Sequence, residues 1–367
     1  MMKNVENQKG VALLITITIL FVVFILVSEV NRHTRSSLKK AGIEKTRAHL
    51  SQIATSGIHI GIAVLMNDKK TAETDSTQEM WADPEQISDM LSEFAFENGE
   101  VTLRIIDEMG KIQINALVDY PEGKKFNTSQ KLLWETFLKL LNPPDDSIDN
   151  LGLNTDIVNC IKDWLDSGDD DATTGINGVE SDYYRSLEPP YSSNNGPLNQ
   201  LGEIVLIKGF TQEMFDRVEM GYRLGDLMTI YGMVSPDKDS KTSAKKQTGF
   251  TFPGKININT ADLPVIMSLM PDSKSVLENS IAAQAIYDYR EEKTEDGGFV
   301  NDLTGDWYEK CQGCEDSGIQ KDLLTTSSDF FSIECSAFKD KIQVDVKAVI
   351  RRDDTKGEYT VLSWQTE

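Results

Sequence analysis

An uncharged apolar run, Val11–Val27, is the feature that most constrains what this chain can fold into. A helix over these seventeen residues would be about 26 Å long, which is the lower limit for crossing a bilayer. A short polar segment ending in Lys9 and Gly10 precedes the run, and a basic group follows between Arg32 and Lys40. The sequence therefore predicts one membrane-spanning helix near the N-terminus.

The residues in front of this run separate three kinds of N-terminus. A secretory signal peptide would have a shorter apolar region and then small residues at a cleavage site, and no such site follows Val27. A plain signal anchor fits the run but gives no reason for a Lys-Gly pair before it. The segment around Gly10 resembles a type IV pilin-like leader, which a dedicated peptidase cuts after the glycine. We therefore expect residues 1–10 to be a leader, Val11 to be the mature N-terminus, and residues 11–30 to lie in the membrane.

The first helix is expected to continue beyond the membrane. Apolar residues recur at spacings of three, four and seven from Ile43 to Val64, a pattern typical of a helix with one buried face. A single helix from Val11 to about Met66 would be more than about 80 Å long. Half of it would lie in lipid and half would pack on a globular head.

Segments with alternating apolar and polar residues predict strands near both ends of the remaining chain. Val101–Ile106 and Lys111–Ala116 are predicted to form a hairpin. The three closing strands are predicted at Phe330–Cys335, Lys341–Arg351 and Glu358–Gln365. Helical patterns dominate between them. The fold class is therefore α+β, with residues 31–126 and 327–367 as an α/β head and residues 127–326 as an inserted all-α domain.

Four segments, taken in this order, resemble the minor pseudopilin K (GspK) family of the type II secretion system. They are the leader KGVALL with Ile15 at the fifth mature position, GKIQINAL at Gly110–Leu117, the block from Asp163 to Phe210, and GKININTADLPVIMSL at Gly254–Leu269. The resemblance implies a pilin-like fold, in which a long N-terminal helix packs on an antiparallel sheet, with a large inserted all-α domain.

The resemblance also implies a function. Members of the family are non-enzymatic subunits at the tip of a short pseudopilus, where they promote its assembly and protein export across the outer membrane. The implied partners are minor pseudopilins I and J, the major pseudopilin and the prepilin peptidase. The implied location is the bacterial inner membrane with the C-terminal head in the periplasm, and methylation and calcium binding are further implied properties. Most pilin-like subunits carry Glu where this chain has Ile15, so we expect a subunit with no neighbour ahead of it.

An acidic stretch in the inserted domain is the candidate metal site. Seven carboxylates fall within twenty residues, and calcium prefers six to eight oxygen ligands on a loop that can bend. A solvated helix end without an ion is the alternative. With the resemblance, we expect calcium to bind here. The expected ligands are Asp166, Asp169, Asp170, Glu180 and Asp182. A second acidic stretch, between Asp302 and Asp316, is another possible location.

The four cysteines are Cys160, Cys311, Cys314 and Cys335. The Cys311-x-x-Cys314 pair has no second pair to complete a zinc site, and all three histidines lie in the first helix. In a periplasmic head a disulfide is the better expectation, either between Cys311 and Cys314 or from one of them to Cys335.

Charge and motif content exclude other classes of function. The formal net charge of −22 repels phosphate backbones, so no nucleic-acid partner is expected. The sequence has no glycine-rich phosphate loop and no histidine outside the first helix to activate a nucleophile, so we do not expect an enzyme. The alternatives that stay open are a minor pilin of a type IV pilus or competence machine, and a signal-anchored periplasmic hydrolase.

Overall fold

The computed structural model describes residues 9–70, 72–94, 96, 99–141, 156–168, 173–175, 177–219, 221–235, 249–271, 273–311, 314, 317–353 and 357–367. Its helices are α1 Lys9–Asp68, α2 Pro84–Ser92, α3 Thr128–Leu141, α4 Ile157–Leu165, α5 Ser181–Arg185, α6 Gln212–Asp216, α7 Leu263–Ser268 and α8 Val276–Glu291. Its strands are β1 Glu100–Asp107, β2 Ile112–Gln113, β3 Val218–Glu219, β4 Tyr222–Arg223, β5 Met228–Thr229, β6 Ile256–Asn257, β7 Leu324–Thr325, β8 Phe330–Lys339, β9 Ile342–Asp353 and β10 Glu358–Thr366.

Helix α1 has 60 residues and confirms the prediction of one helix that runs from the apolar segment into the head. Side chains from Gly10 to Val30 are exposed, and the segment is long and apolar enough to cross a membrane. In the second half of α1 one face is buried, with Leu50, Ile58 and Leu65 fully inaccessible to solvent. The periodic apolar residues therefore mark the part of α1 that packs on the head.

The head is a four-stranded antiparallel sheet in the order β1-β8-β9-β10, and α1 packs on one of its faces. Two glycines of α1, Gly57 and Gly61, lie one turn apart against β8. A Cβ at Gly57 would overlap the sulfur of Cys335, and one at Gly61 would lie 2.8 Å from Ile333. Close approach of the helix to the sheet therefore requires glycine at both positions. The three closing strands confirm the sequence prediction.

The predicted hairpin at residues 101–116 is wrong in its second strand. Val101–Ile106 lies within β1 as expected, but β1 pairs with β8. Ile112 and Gln113 instead form the short strand β2, which pairs in parallel with β5 far along the chain. Residues 112–118 pack in the core of the inserted domain, although the sequence analysis placed residues 31–126 in the head.

The inserted domain has its own hydrophobic core, separate from the core between α1 and the sheet. It is built on α3, α4, α7 and α8, and Trp134, Phe137 and Trp307 are among its fully buried side chains. Among the described residues, three two-stranded sheets supplement these helices: β2 with β5, β3 with β4, and β6 with β7.

A buried polar network joins the two cores. Asn257 donates from Nδ2 to Asp107 Oδ2 at 2.9 Å, and Thr260 and Ser328 each donate to the same oxygen at 2.6 Å. Asp107 ends β1, Asn257 ends β6, and Ser328 precedes β8. Burial raises the pKa of Asp107 to about 6, opposed by these hydrogen bonds. The network fixes the inserted domain on the end of the sheet.

Candidate metal centre

Three carboxylates of the predicted acidic stretch come together at the end of α4. Asp163 lies in the last turn of α4, Asp166 follows its last residue, and Glu180 precedes α5. One oxygen of each lies within 4.8 Å of one oxygen of the other two. Asp163 and Asp166 are three residues apart at a helix end, which places both on one face. The three oxygens are thus close enough to share one cation.

The centre is buried and carries more negative than positive charge. Asp163 is 0% exposed and Asp166 is 6% exposed. Lys162 is the cation in contact, with its Nζ 2.5 Å from Asp166 Oδ2 and 3.7 Å from Asp163 Oδ1. Burial raises the pKa of Asp163, and the charge of Asp166 adds to that rise. Carboxylates this close together repel one another, and a divalent cation between them would relieve that repulsion.

Asp166 supplies the clearest sign of a missing ligand. Its Oδ1 is buried and accepts no hydrogen bond from any described residue. A buried carboxylate oxygen without a partner costs free energy, and calcium coordination would satisfy it. The donor set of carboxylate oxygens therefore fits a hard divalent cation.

Two described residues between α4 and α5, Thr174 and Gly178, lie against Asp163. The backbone N–H of Thr174 donates to both carboxylate oxygens, at 3.2 Å and 3.0 Å. A Cβ at Gly178 would overlap Asp163 Oδ2 and the carbonyl oxygen of Thr174. Glycine at position 178 thus lets the chain return beside the carboxylate and bring Glu180 to the centre.

The structure brings together two of the five predicted ligands. Asp166 and Glu180 are in the centre, whereas Asp169 and Asp170 lie outside the described residues. Asp182 is a correction: its side chain is 98% exposed and pairs with Arg185 at 3.3 Å. It lies on α5 two residues after Glu180 and faces solvent. Asp163 belonged to the predicted stretch but was not chosen as a ligand, although its spacing to Asp166 indicated a shared helix face.

A second group of carboxylates, which the sequence analysis missed, lies where α1 ends. Asp68, Asp75 and Glu79 have oxygens within 4.8 Å of one another. Arg352 of β9 donates to Asp75 Oδ1 at 2.5 Å, and Lys69 lies 3.9 Å from Asp75 Oδ2. Burial raises the pKa of Asp68 to about 6 and that of Glu79 to about 7. Arg352 and Lys69 already pair with Asp75, so this group is a buried ion-pair network.

The other acidic stretch contains no such grouping within the described residues. Asp302 accepts hydrogen bonds from Thr304, and Glu309 pairs with Lys321. Glu315 and Asp316 lie outside the described residues.

The four cysteines are all buried. Cys311 and Cys314 lie in the core of the inserted domain, while Cys335 lies in the core between α1 and the sheet. A disulfide from Cys335 to either of the others is therefore a wrong expectation, because the fold places them in different cores. Burial raises the pKa of Cys311 to about 12, with Cys314 adding to the rise. A bond between Cys311 and Cys314 stays a prediction.

The predicted processing site lies in the first turn of α1. Gly10 and Val11 are exposed, and a Cβ at Gly10 would meet nothing within 4 Å. Ile15, at the fifth mature position, is 51% exposed on the apolar half of the helix. Residues 1–8 of the leader lie outside the described residues.

A long N-terminal helix with an exposed apolar half, packed on an antiparallel sheet that carries a helical insertion, defines a pilin-like protein. Residues 110–220 match the family model described as type II secretion system (T2SS), protein K. These residues are thus similar to protein K, and the resemblance to the minor pseudopilin K family is confirmed.

Individual relatives agree with this assignment. The chain is 27% identical over 217 residues to the putative type II secretion system protein K of Escherichia coli strain K12, covering 58% of this chain and 61% of the relative. It is 24% identical over 224 residues to protein K of Aeromonas hydrophila, covering 59% and 63%. The alignments thus span about three fifths of these relatives.

One solved structure has the same fold. The crystal structure of the GspK–GspI–GspJ complex from the enterotoxigenic Escherichia coli type 2 secretion system matches with a TM-score of 0.56. The match covers 90% of this chain and 99% of the solved chain at 15% identity. The similarity thus extends over both the head and the insertion.

Proposed function

We propose that the chain is a minor pseudopilin of a type II secretion system and a structural subunit of the pseudopilus tip. The observation that carries the proposal is the protein K match at residues 110–220 within a fold that aligns over 90% of the chain with GspK. In this role α1 is the inner-membrane anchor and the head lies in the periplasm. The subunit promotes assembly of the pseudopilus and protein export without catalysing a reaction.

The proposed partners follow from the same comparison. The solved structure of the related protein contains GspI and GspJ. We propose that minor pseudopilins I and J bind this chain, that the major pseudopilin follows them in the filament, and that the prepilin peptidase cuts after Gly10. The exposed position of Gly10 on a helix that leaves the membrane supports access by a peptidase. Methylation of the new N-terminus at Val11 belongs to the same proposal.

Calcium is the proposed ligand of the metal centre. Asp163, Asp166 and Glu180 would hold the ion, and its charge would relieve the repulsion among their carboxylates. In this position calcium joins the end of α4 to the loop before α5. Its role is structural, because it stabilises one conformation of the loop.

Processing and secretion test the proposal together. In a host that lacks its own protein K, the chain should restore secretion, and its intact mass should correspond to a protein that begins at Val11. Gly10→Val should leave the leader attached and abolish complementation. A mature, secretion-competent protein that still begins at Met1 or Met2 would contradict the proposal.

A further inference from the structure

The last strand of the sheet, β10, carries apolar side chains that the described part of the chain leaves partly exposed. In the register of β9 with β10, Tyr359 faces Arg352, Val361 faces Ile350, and Trp364 faces Ala348. Residues paired directly across two antiparallel strands lie on the same face. Ile350 and Ala348 are buried against α1, so the three β10 side chains also lie on the α1 side of the sheet.

Helix α1 does not extend over these side chains. Tyr359, Val361 and Trp364 are 42%, 44% and 40% exposed, although they continue the same face that is fully buried on β9. We call these three residues the β10 seat. The ring of Trp364 lies beside α1, with its centroid 6.1 Å from that of His59. Large apolar side chains grouped in this way on an edge strand indicate a docking surface.

The spacing of the layers indicates what shape covers the β10 seat. Helix α1 packs on β8 and β9. Packed helices lie about 8–10 Å apart, and neighbouring strands lie about 4.8 Å apart. A second helix parallel to α1 would therefore be displaced by about two strands, over β10 and its outer edge.

Two other occupants fit less well. A strand added to the free edge would need a regular row of backbone groups, and the register of β10 shifts between Val361 and Ser363. A second copy of this chain would bring together two molecules that each carry a formal net charge of −22. A subunit anchored in the same membrane is a better candidate, because its own N-terminal helix would lie parallel to α1.

We propose that the β10 seat binds the N-terminal helix of a second, different pilin-like subunit anchored in the same membrane. The inference rests on the proposed function and extends it by naming the surface and the element that meet. The partner helix needs an apolar stripe that packs on these three side chains beside α1.

Adjacent residues of β10 provide a matched test. Val361 and Leu362 are 44% and 42% exposed, and Leu362 lines a cleft on the opposite face of the sheet, between β10 and the inserted domain. The full chain is produced in membranes together with minor pseudopilins I and J, with a photo-crosslinking phenylalanine analogue at position 361 or 362. We expect position 361 to crosslink to the N-terminal helix of I or J at least about tenfold more efficiently than position 362.

Substitutions give the second readout. Val361→Asp and Trp364→Ser should weaken association with I and J at least about tenfold, whereas Leu362→Asp should change it less than about twofold. Trp364→Phe should retain binding, because it keeps an aromatic ring at this position. If I and J still associate while position 361 crosslinks to neither, to a segment outside their helices, or to a second copy, the inference is overturned. If the wild-type chain associates with neither I nor J, the proposed function fails and the inference fails with it.

Discussion

Replacing Asp166 by Asn is the sharpest test of the metal centre. The substitution keeps the shape of the side chain but removes one of three carboxylate charges and replaces one carboxylate oxygen by an amide nitrogen, which cannot coordinate calcium. At free calcium about 100 times above the dissociation constant, binding to the folded state adds about 2.7 kcal/mol to the free energy of unfolding. For a unit of about 200 residues this raises Tm by roughly 5 to 11 °C.

Asp166→Asn should therefore abolish most of the calcium-dependent rise in Tm. In chelator its stability should stay within about 1 kcal/mol of wild type, because the weaker attraction to Lys162 is offset by weaker repulsion among the carboxylates. Asp182→Asn is the matched control, since Asp182 lies two residues after Glu180 but its side chain is 98% exposed. It should leave the rise unchanged.

The assay is thermal unfolding followed by circular dichroism, with and without excess calcium, for the wild type and both variants. Magnesium should give a smaller rise, because it gives up its waters reluctantly. A full calcium-dependent rise in Asp166→Asn, or its loss in Asp182→Asn, would refute the assignment of Asp163, Asp166 and Glu180 as the site.

Three further predictions concern the head. Arg352→Met should lower the free energy of unfolding in denaturant titration by about 3–5 kcal/mol, because Asp75 is fully buried and loses its guanidinium partner; a loss below about 1 kcal/mol would contradict this. Gly57→Ala should lower the free energy of unfolding by about 1–3 kcal/mol, because its Cβ overlaps a sulfur atom of β8. Gly42→Ala, whose Cβ has nothing within 4 Å, should leave the free energy of unfolding unchanged or raise it. Glu79 has a pKa raised to about 7 in the folded state, so its contribution favours folding at low pH and is lost as the pH rises through about 7. In chelator, unfolding free energies between about pH 5 and pH 8 should fall by on the order of 1 kcal/mol after allowance for solvent screening, and Glu79→Gln should flatten that profile.

Local periodicity predicted the elements that pack on segments close in the chain or that lie exposed. The alternation of Ile342 to Ile350 was sufficient to define β9, and the run Val11–Val27 defined the start of α1. The hairpin at 101–116 failed because the partner of Ile112 is Met228, 116 residues further along the chain. A two-residue parallel pairing leaves no periodic signal, so only the packed structure reveals it.

The metal centre was predicted in part for a similar reason. The density of carboxylates located the stretch, but side-chain direction selects the ligands. Asp163 and Asp166 share a helix face, whereas Asp182 points away from Glu180 on a short helix. The ion-pair network of Asp75 and Arg352 had no sequence signal at all, because its members are separated by 277 residues.

The metal centre and the β10 seat should act independently, because they belong to different cores. Asp163 and its neighbours stabilise a loop on the core of the inserted domain, whereas Val361 and Trp364 continue the face that α1 covers. The polar network around Asp107 holds the two cores together without calcium. Chelation should therefore lower Tm but leave crosslinking from position 361 within about twofold of its level with calcium, measured well below the melting range. A loss of crosslinking in chelator, while circular dichroism still shows a folded chain, would mean that the loop after α4 helps to position β10.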